Sequence, residues 1–270
     1  MKKSLVLLLI SSLVSGLYAR QPRTVVEPPF AFRNSGTLEI ERIELALEST
    51  TVYIQAYFRP HNWIRISSET YIRAGAEGEK LTVRSADGMP LDTEFYMPET
   101  GRHDFSLSFP PVDPKTAKID LIESDCPDCF KIYDIDLTGK KAKPGRSALA
   151  KKYKKTVPLT ENFTAPIVSD SPARIAGAIT GYDPRFFDRI EIAFYSPIVG
   201  DGATELKVPV HADGSFETEL NILTPICGTL FLPGFVTLPF YAEPGRETAL
   251  EIDLGAVYRK TSVFKELHPQ

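Results

Sequence analysis

Cysteine is scarce in this sequence: three occur in 270 residues, at Cys126, Cys129 and Cys227. That excludes a small domain framed by many disulfides. The four histidines, His61, His103, His211 and His268, stand singly, and no His-Glu-x-x-His or Gly-x-Ser-x-Gly stretch is present. Neither a zinc-protease helix nor a hydrolase nucleophile elbow is therefore written into the chain. No Gly-rich phosphate loop precedes a helix, and residues 37–137 hold no helical period longer than about two turns. An excess of positive charge is missing as well, with 31 Lys and Arg against 35 Asp and Glu and a net charge of −4. This balance argues against nucleic acid or an anionic membrane surface as the main partner. No cofactor is expected and no complete catalytic constellation emerges.

What is present begins with Lys2 and Lys3, an apolar run from Leu5 to Val14, and small or neutral residues to Ala19. This is the pattern of a secretory signal peptide over residues 1–19. The run is too short to cross a bilayer, which takes roughly 20 helical residues. The sequence predicts an exported, periplasmic or secreted protein with no membrane span.

From Thr37 to Leu137 the apolar period is two: Leu38 and Ile40, Val52 and Ile54, Phe105, Leu107 and Phe109, Ile119 and Leu121. Alternation of this kind marks half-buried strands, and Pro- and Gly-rich turns close them at intervals of about ten residues. The expected fold class is all-β, with a first, immunoglobulin-like sandwich over residues 34–138. A register shift is expected near Asp134.

Residues 139–164 change character. Lys140, Lys141, Lys143, Arg146, Lys151, Lys152, Lys154 and Lys155 surround Pro144-Gly145 with no acid between Gly139 and Val157. The segment is predicted to be a solvated basic linker between separable domains. A second sandwich, prealbumin-like or carboxypeptidase-regulatory-like, is expected over residues 165–254, followed by a tail at 255–270. Asp213-Gly214 reads as a type I′ hairpin turn, and Pro209 and Pro239 place their strands at sheet edges.

Three candidate sites follow. Cys126-Pro127-Asp128-Cys129 has dithiol spacing but no helix to lower a thiol pKa, and Asp125 and Asp128 oppose a thiolate. The expectation is a turn closed by a structural disulfide. Trp63, with Tyr57 and His61, is a possible ligand-contact group, although core packing behind Pro60 is the expected role of the tryptophan. Cys227 is expected to be a small buried hydrophobe.

The stretches Val52 to Ser68, Glu94 to Glu99 and Asp125 to Gly139 resemble the amino-terminal region of exported TlpA-type thioredoxin-like proteins of anaerobic bacteria. Asp213-Gly214-Ser215-Phe216 and Phe240 to Gly245 look like the sandwich that precedes the thioredoxin module in such proteins. The resemblance implies a Trp-Cys-x-x-Cys module further along, and this chain stops at Gln270 without one. The expected function is a non-catalytic exported binding or scaffold protein for a protein, peptide or glycan partner. The alternatives are an accessory or truncated form of a thiol-disulfide oxidoreductase, and a cell-surface glycan-binding module, which needs an exposed Trp63.

Overall fold

The computed structural model describes residues 22–126, 129–139, 168–196, 198, 202–234 and 236–258. The expected signal peptide and the part of the expected basic linker beyond Gly139 lie outside the described residues. The chain is all-β. The first unit contains β1 (Arg23–Val26), β2 (Phe32–Arg33), β3 (Leu38–Leu45), β4 (Thr50–Tyr57), β5 (Trp63–Ile64), β6 (Tyr71–Arg73), β7 (Leu81–Thr82), β8 (Ser85–Asp87), β9 (Phe95–Tyr96), β10 (Arg102–Phe109), β11 (Lys118–Ile122) and β12 (Lys131–Asp136). One sheet runs β1-β3-β4-β10-β8 and the facing sheet β2-β12-β11-β6-β7, while β5 and β9 form a separate ribbon. Val52 and Ile54 on β4 and Phe105, Leu107 and Phe109 on β10 point inward, onto Ile72, Ile119, Leu121 and Ile135 of the facing sheet.

The register shift expected near Asp134 is a β-bulge. Ile119 pairs with Ile135 but Leu121 with Ile132, so two residues of β12 face Asp120. Asp134 takes a positive φ of 53° and donates its N–H to the Asp120 carboxylate at 3.0 Å. A bulge of this kind redirects side chains. Ile132 and Ile135 stay in the first core, and Tyr133 turns outward with Ile122, Tyr71 and Phe32.

The second unit contains β13 (Ala173–Thr180), β14 (Arg189–Tyr195), β15 (Ala203–Pro209), β16 (Ser215–Leu220), β17 (Ile226–Leu232), β18 (Val236–Ala242), β19 (Glu247–Asp253) and a single turn of helix, α1 (Leu254–Val257). Its sheets are β16-β13-β19 and β15-β14-β17-β18, with β13 and β19 parallel. Pro209 and Pro239 lie on β15 and β18, the two edges, where a missing N–H costs no ladder bond. The expected hairpin at Asp213-Gly214 is corrected: β15 and β16 belong to different sheets, and only Gly214 has a positive φ. Its N–H donates to His211 O and its carbonyl accepts from Ile179, so the turn is held against β13 and steers β16 across to the other layer. A Cβ on Gly214 would come within 2.6 Å of Ile179 O.

The two sandwiches share a buried junction. Phe32, with no exposed surface, stacks on Phe186 at 4.9 Å, meets Tyr258 edge-on at 4.9 Å, and contacts Phe187 at 5.6 Å. Phe186 and Phe187 come from the β13–β14 loop and Tyr258 from the residue after α1. The start of the expected tail is thus built into the core, and burial pushes the Tyr258 phenol well up. Beside the rings Arg185 reaches Asp120 at 3.2 Å and Asp134 at 3.1 Å across the junction, and its own neighbour Asp183 at 3.0 Å. Asp183 first, then Asp134 and Asp120, raises the guanidinium pKa. Arg73 meets the same Asp120 oxygen, Oδ2, at 3.2 Å, and the other oxygen takes the Asp134 N–H. Linker composition gave no sign of this contact.

Candidate functional site

The β5–β9 ribbon follows from its sequence. In Trp63-Ile64-Arg65-Ile66 the isoleucines take the inward positions, where they meet the core with Met97, so the alternate residues face solvent. Trp63 pairs with Tyr96 and Ile64 with Phe95. Trp63 is 49 % exposed and Tyr96 is 61 % exposed. Two aromatic side chains therefore stand directly opposite each other on the open face of a two-stranded ribbon. This corrects the expectation that Trp63 packs in the core behind Pro60.

The turn before the ribbon is fixed by the backbone. Met97 donates to Asn62 O at 2.9 Å, His61 donates to Met97 O at 3.0 Å, and His61 takes a φ of 62°. His61 is exposed, and its Nε2 lies 3.1 Å from Glu99 Oε1. Tyr96 donates its hydroxyl to Glu94 at 3.1 Å, and that carboxylate holds the phenol above its ordinary range. Behind the ribbon the His103 ring stacks on Phe95 at 4.0 Å. Of the three candidate contact residues, Trp63 and His61 share this surface. Tyr57 does not: it ends β4 opposite Arg102, is only 5 % exposed and donates its hydroxyl to Gln55. Tyr96 is the residue that sequence reasoning missed. Its signal is the same alternation, with Met97 inward and Tyr96 outward.

Cys126 and Cys129 form a disulfide with Cα atoms 5.3 Å apart, in the connection between β11 and β12, and among the described residues no helix lies in that connection. Asp125 is turned toward Lys80 at 2.7 Å and the Tyr71 hydroxyl at 3.0 Å, and Lys80 foremost holds its carboxyl below the usual range. The Cys129 carbonyl accepts from the Asn34 amide at 2.8 Å. With the turn tied at both ends, the bond closes only a very short loop. Replacing both cysteines with serine is expected to cost about 1–2 kcal/mol in urea unfolding. A double variant that unfolds at the wild-type urea concentration would show that the bond adds nothing to stability.

Cys227 is exposed, which corrects the expected buried hydrophobe. On β17 the inward positions belong to Ile226 and Gly228, and Gly228 lies under the Phe240 ring, where a Cβ would come within 2.2 Å. The intervening thiol faces out beside Tyr241. A cavity of about 380 Å³ lies at the far end of the first unit, against Leu45, Leu47, Pro111 and Val112. Among the described residues that line it, Arg23 and Asp113 are the charged ones and none is aromatic. Among the described residues no group of three or more His, Cys, Asp or Glu is placed to hold a metal, and no helix is long and apolar enough to cross a membrane.

No protein-family model matches the chain, and no curated protein matches it. Solved structures similar to it include the type I pullulanase of Bacillus subtilis str. 168 complexed with maltose, at 7 % identity and a TM-score of 0.26 over 72 % of this chain and 23 % of that one. The pullulanase of Anoxybacillus sp. LM18-11 aligns at 8 % identity and a TM-score of 0.25 over 72 % of this chain and 24 % of its own. The Bacillus anthracis TIE protein aligns at 7 % identity and a TM-score of 0.22 over 86 % of this chain and 40 % of its own. The chain spans about a quarter of the pullulanases it aligns with.

Proposed function

We propose that this chain is a non-catalytic, exported binding module that holds a glycan against the open face of the β5–β9 ribbon. The observation that carries the reading is the side-by-side exposure of Trp63 and Tyr96. Exposed aromatic rings are costly to leave in water, and both kinds combine a large apolar face with a polar edge suited to a half-wet contact. A pyranose ring presents C–H groups on its faces and hydroxyls on its rim, which matches a flat indole flanked by polar groups. Those groups are in place, with Glu94 on the Tyr96 hydroxyl and the His61–Glu99 pair at the turn. The rest of the chain acts as scaffold. The ribbon is backed by the first core through Ile64 and Met97, and the junction ties that core to the second sandwich.

Trp63→Ala tests the reading. Binding to an immobilised panel of oligosaccharides and peptides should fall about 10-fold or more, because a central aromatic contact is commonly worth 2 kcal/mol or above. The melting temperature should stay close to that of the wild type, since half of the side chain is already in water. Unchanged binding by a folded Trp63→Ala protein would move the contact surface elsewhere.

A further inference from the structure

Next to Trp63 the chain forms one wall of a second cavity, about 210 Å³ in volume, through Ile64, Arg65 and Ile66. The opposite wall is Phe130 with Glu123, the residue that follows β11. We propose that this cavity is a subsite for one neutral hexopyranose ring, with its hydroxyls read by Arg65 and Glu123. The proposal rests on the glycan reading above and specifies what that ligand must carry.

The cavity lies below the roughly 300 Å³ at which pockets for drug-sized ligands begin, so a single ring fills it. Its floor is rigid. Both ends of the Asn34 amide are used, donating to Cys129 O at 2.8 Å and accepting from Lys131 N–H at 2.7 Å. Of the polar lining groups two are charged, Arg65 and Glu123, and both have capacity to spare. Arg65 is exposed and, among the described residues, makes no hydrogen bond or ion pair, although it feels the charges of Glu123 and Asp92. Glu123 accepts from the backbone N–H groups of Phe130, at 3.3 Å, and Ser67, which together leave about half of its acceptor positions open, and burial raises its carboxyl pKa against the pull of those N–H groups and of Arg65.

These groups decide the ligand's charge. A guanidinium alone would favour a carboxylate, sulfate or phosphate. Here two carboxylates flank it, and Asp92 is itself held by the Ser68 N–H at 2.9 Å. An anion would meet a net negative surround, and a cation would meet the guanidinium. A neutral hydroxylated ring takes donors from Arg65 and offers hydroxyls to Glu123, at the rim of a wall that the buried Leu38, Ile64, Ile66 and Phe130 close behind it. Arg65 and Trp63 occupy alternate positions of one extended segment, so the two contacts can be made by adjoining units of one oligosaccharide.

The test is calorimetric titration of the full chain with glucose, galactose and mannose and their oligosaccharides of up to six units. Wild-type protein should prefer one hexose over its epimers. Arg65→Met and Glu123→Gln should each weaken the best oligosaccharide about 10-fold or more and flatten that preference, as loss of hydrogen bonds to a charged group does. Arg65→Met should melt with the wild type because its side chain holds no partner, so it decides the matter even if Glu123→Gln folds poorly. Both variants keeping wild-type affinity and epimer preference, while Trp63→Ala loses binding, would overturn the subsite and leave the glycan reading standing. Binding to peptides with none to any oligosaccharide would overturn both.

Discussion

Phe32→Ala is expected to lower the unfolding free energy by about 3–5 kcal/mol, the range for removing a fully buried aromatic ring. It should also split one cooperative melt into two. Phe32 sits on a two-residue edge strand and has no exposed surface, yet most of its ring contacts come from the other sandwich, through Phe186, Phe187 and Tyr258. Removing the ring opens a void in the cluster that runs from Tyr71, Ile122 and Tyr133 of the first unit into the core of the second. The void therefore weakens the contact that couples the two units. Differential scanning calorimetry checks both parts. A single transition at the wild-type temperature would show that the junction contributes nothing to stability.

Asp120→Ala is expected to have a comparable effect, about 3–5 kcal/mol in urea unfolding. The side chain of Asp120 is 1 % exposed and collects Arg73, Arg185 and the Asp134 N–H. Deleting it leaves the Arg73 cation without its partner and the bulge without its acceptor. Arg185 is less affected because Asp183 and Asp134 still hold it. The double variant with Arg185→Met should be less destabilised than the sum of the single variants, since both remove the same contact. Strict additivity would contradict the network.

Most of the fold was legible because one signal carries it. The period-two alternation at Val52 to Ala56 and at Phe105 to Phe109 is the consequence of one face meeting a core, and those strands lie where the pattern puts them. Pro209 and Pro239 were legible for a local reason, a missing donor. The Asp213-Gly214 turn was not, because turn chemistry sets a local reversal but not which strand the returning segment pairs with. That choice depends on Gly214 packing against Ile179, a contact between residues far apart in sequence. Cys227 was misread through its apolar neighbours, although Gly228 can hold an inward position when a phenylalanine covers it from the next strand. The junction was illegible because Phe32, Asp120, Arg185 and Tyr258 are scattered along the chain and each looks ordinary in its own segment. At the site, the alternation that hides Ile64 and Ile66 was enough to expose Trp63. The pairing with Tyr96 spans more than thirty residues that include β6, β7 and β8, and needed the structure.

Trp63 is the only tryptophan in the chain, so its emission reports on the proposed contact surface with no competing signal. The decisive measurement is a fluorescence titration of the full chain with the neutral oligosaccharide series. The account predicts a red, solvent-exposed emission in the free protein, a saturable shift to the blue as a sugar ring covers the indole, and the same affinity as calorimetry. Saturable oligosaccharide binding by calorimetry with no change in Trp63 emission, or a free protein whose indole already emits as a buried one, would contradict it.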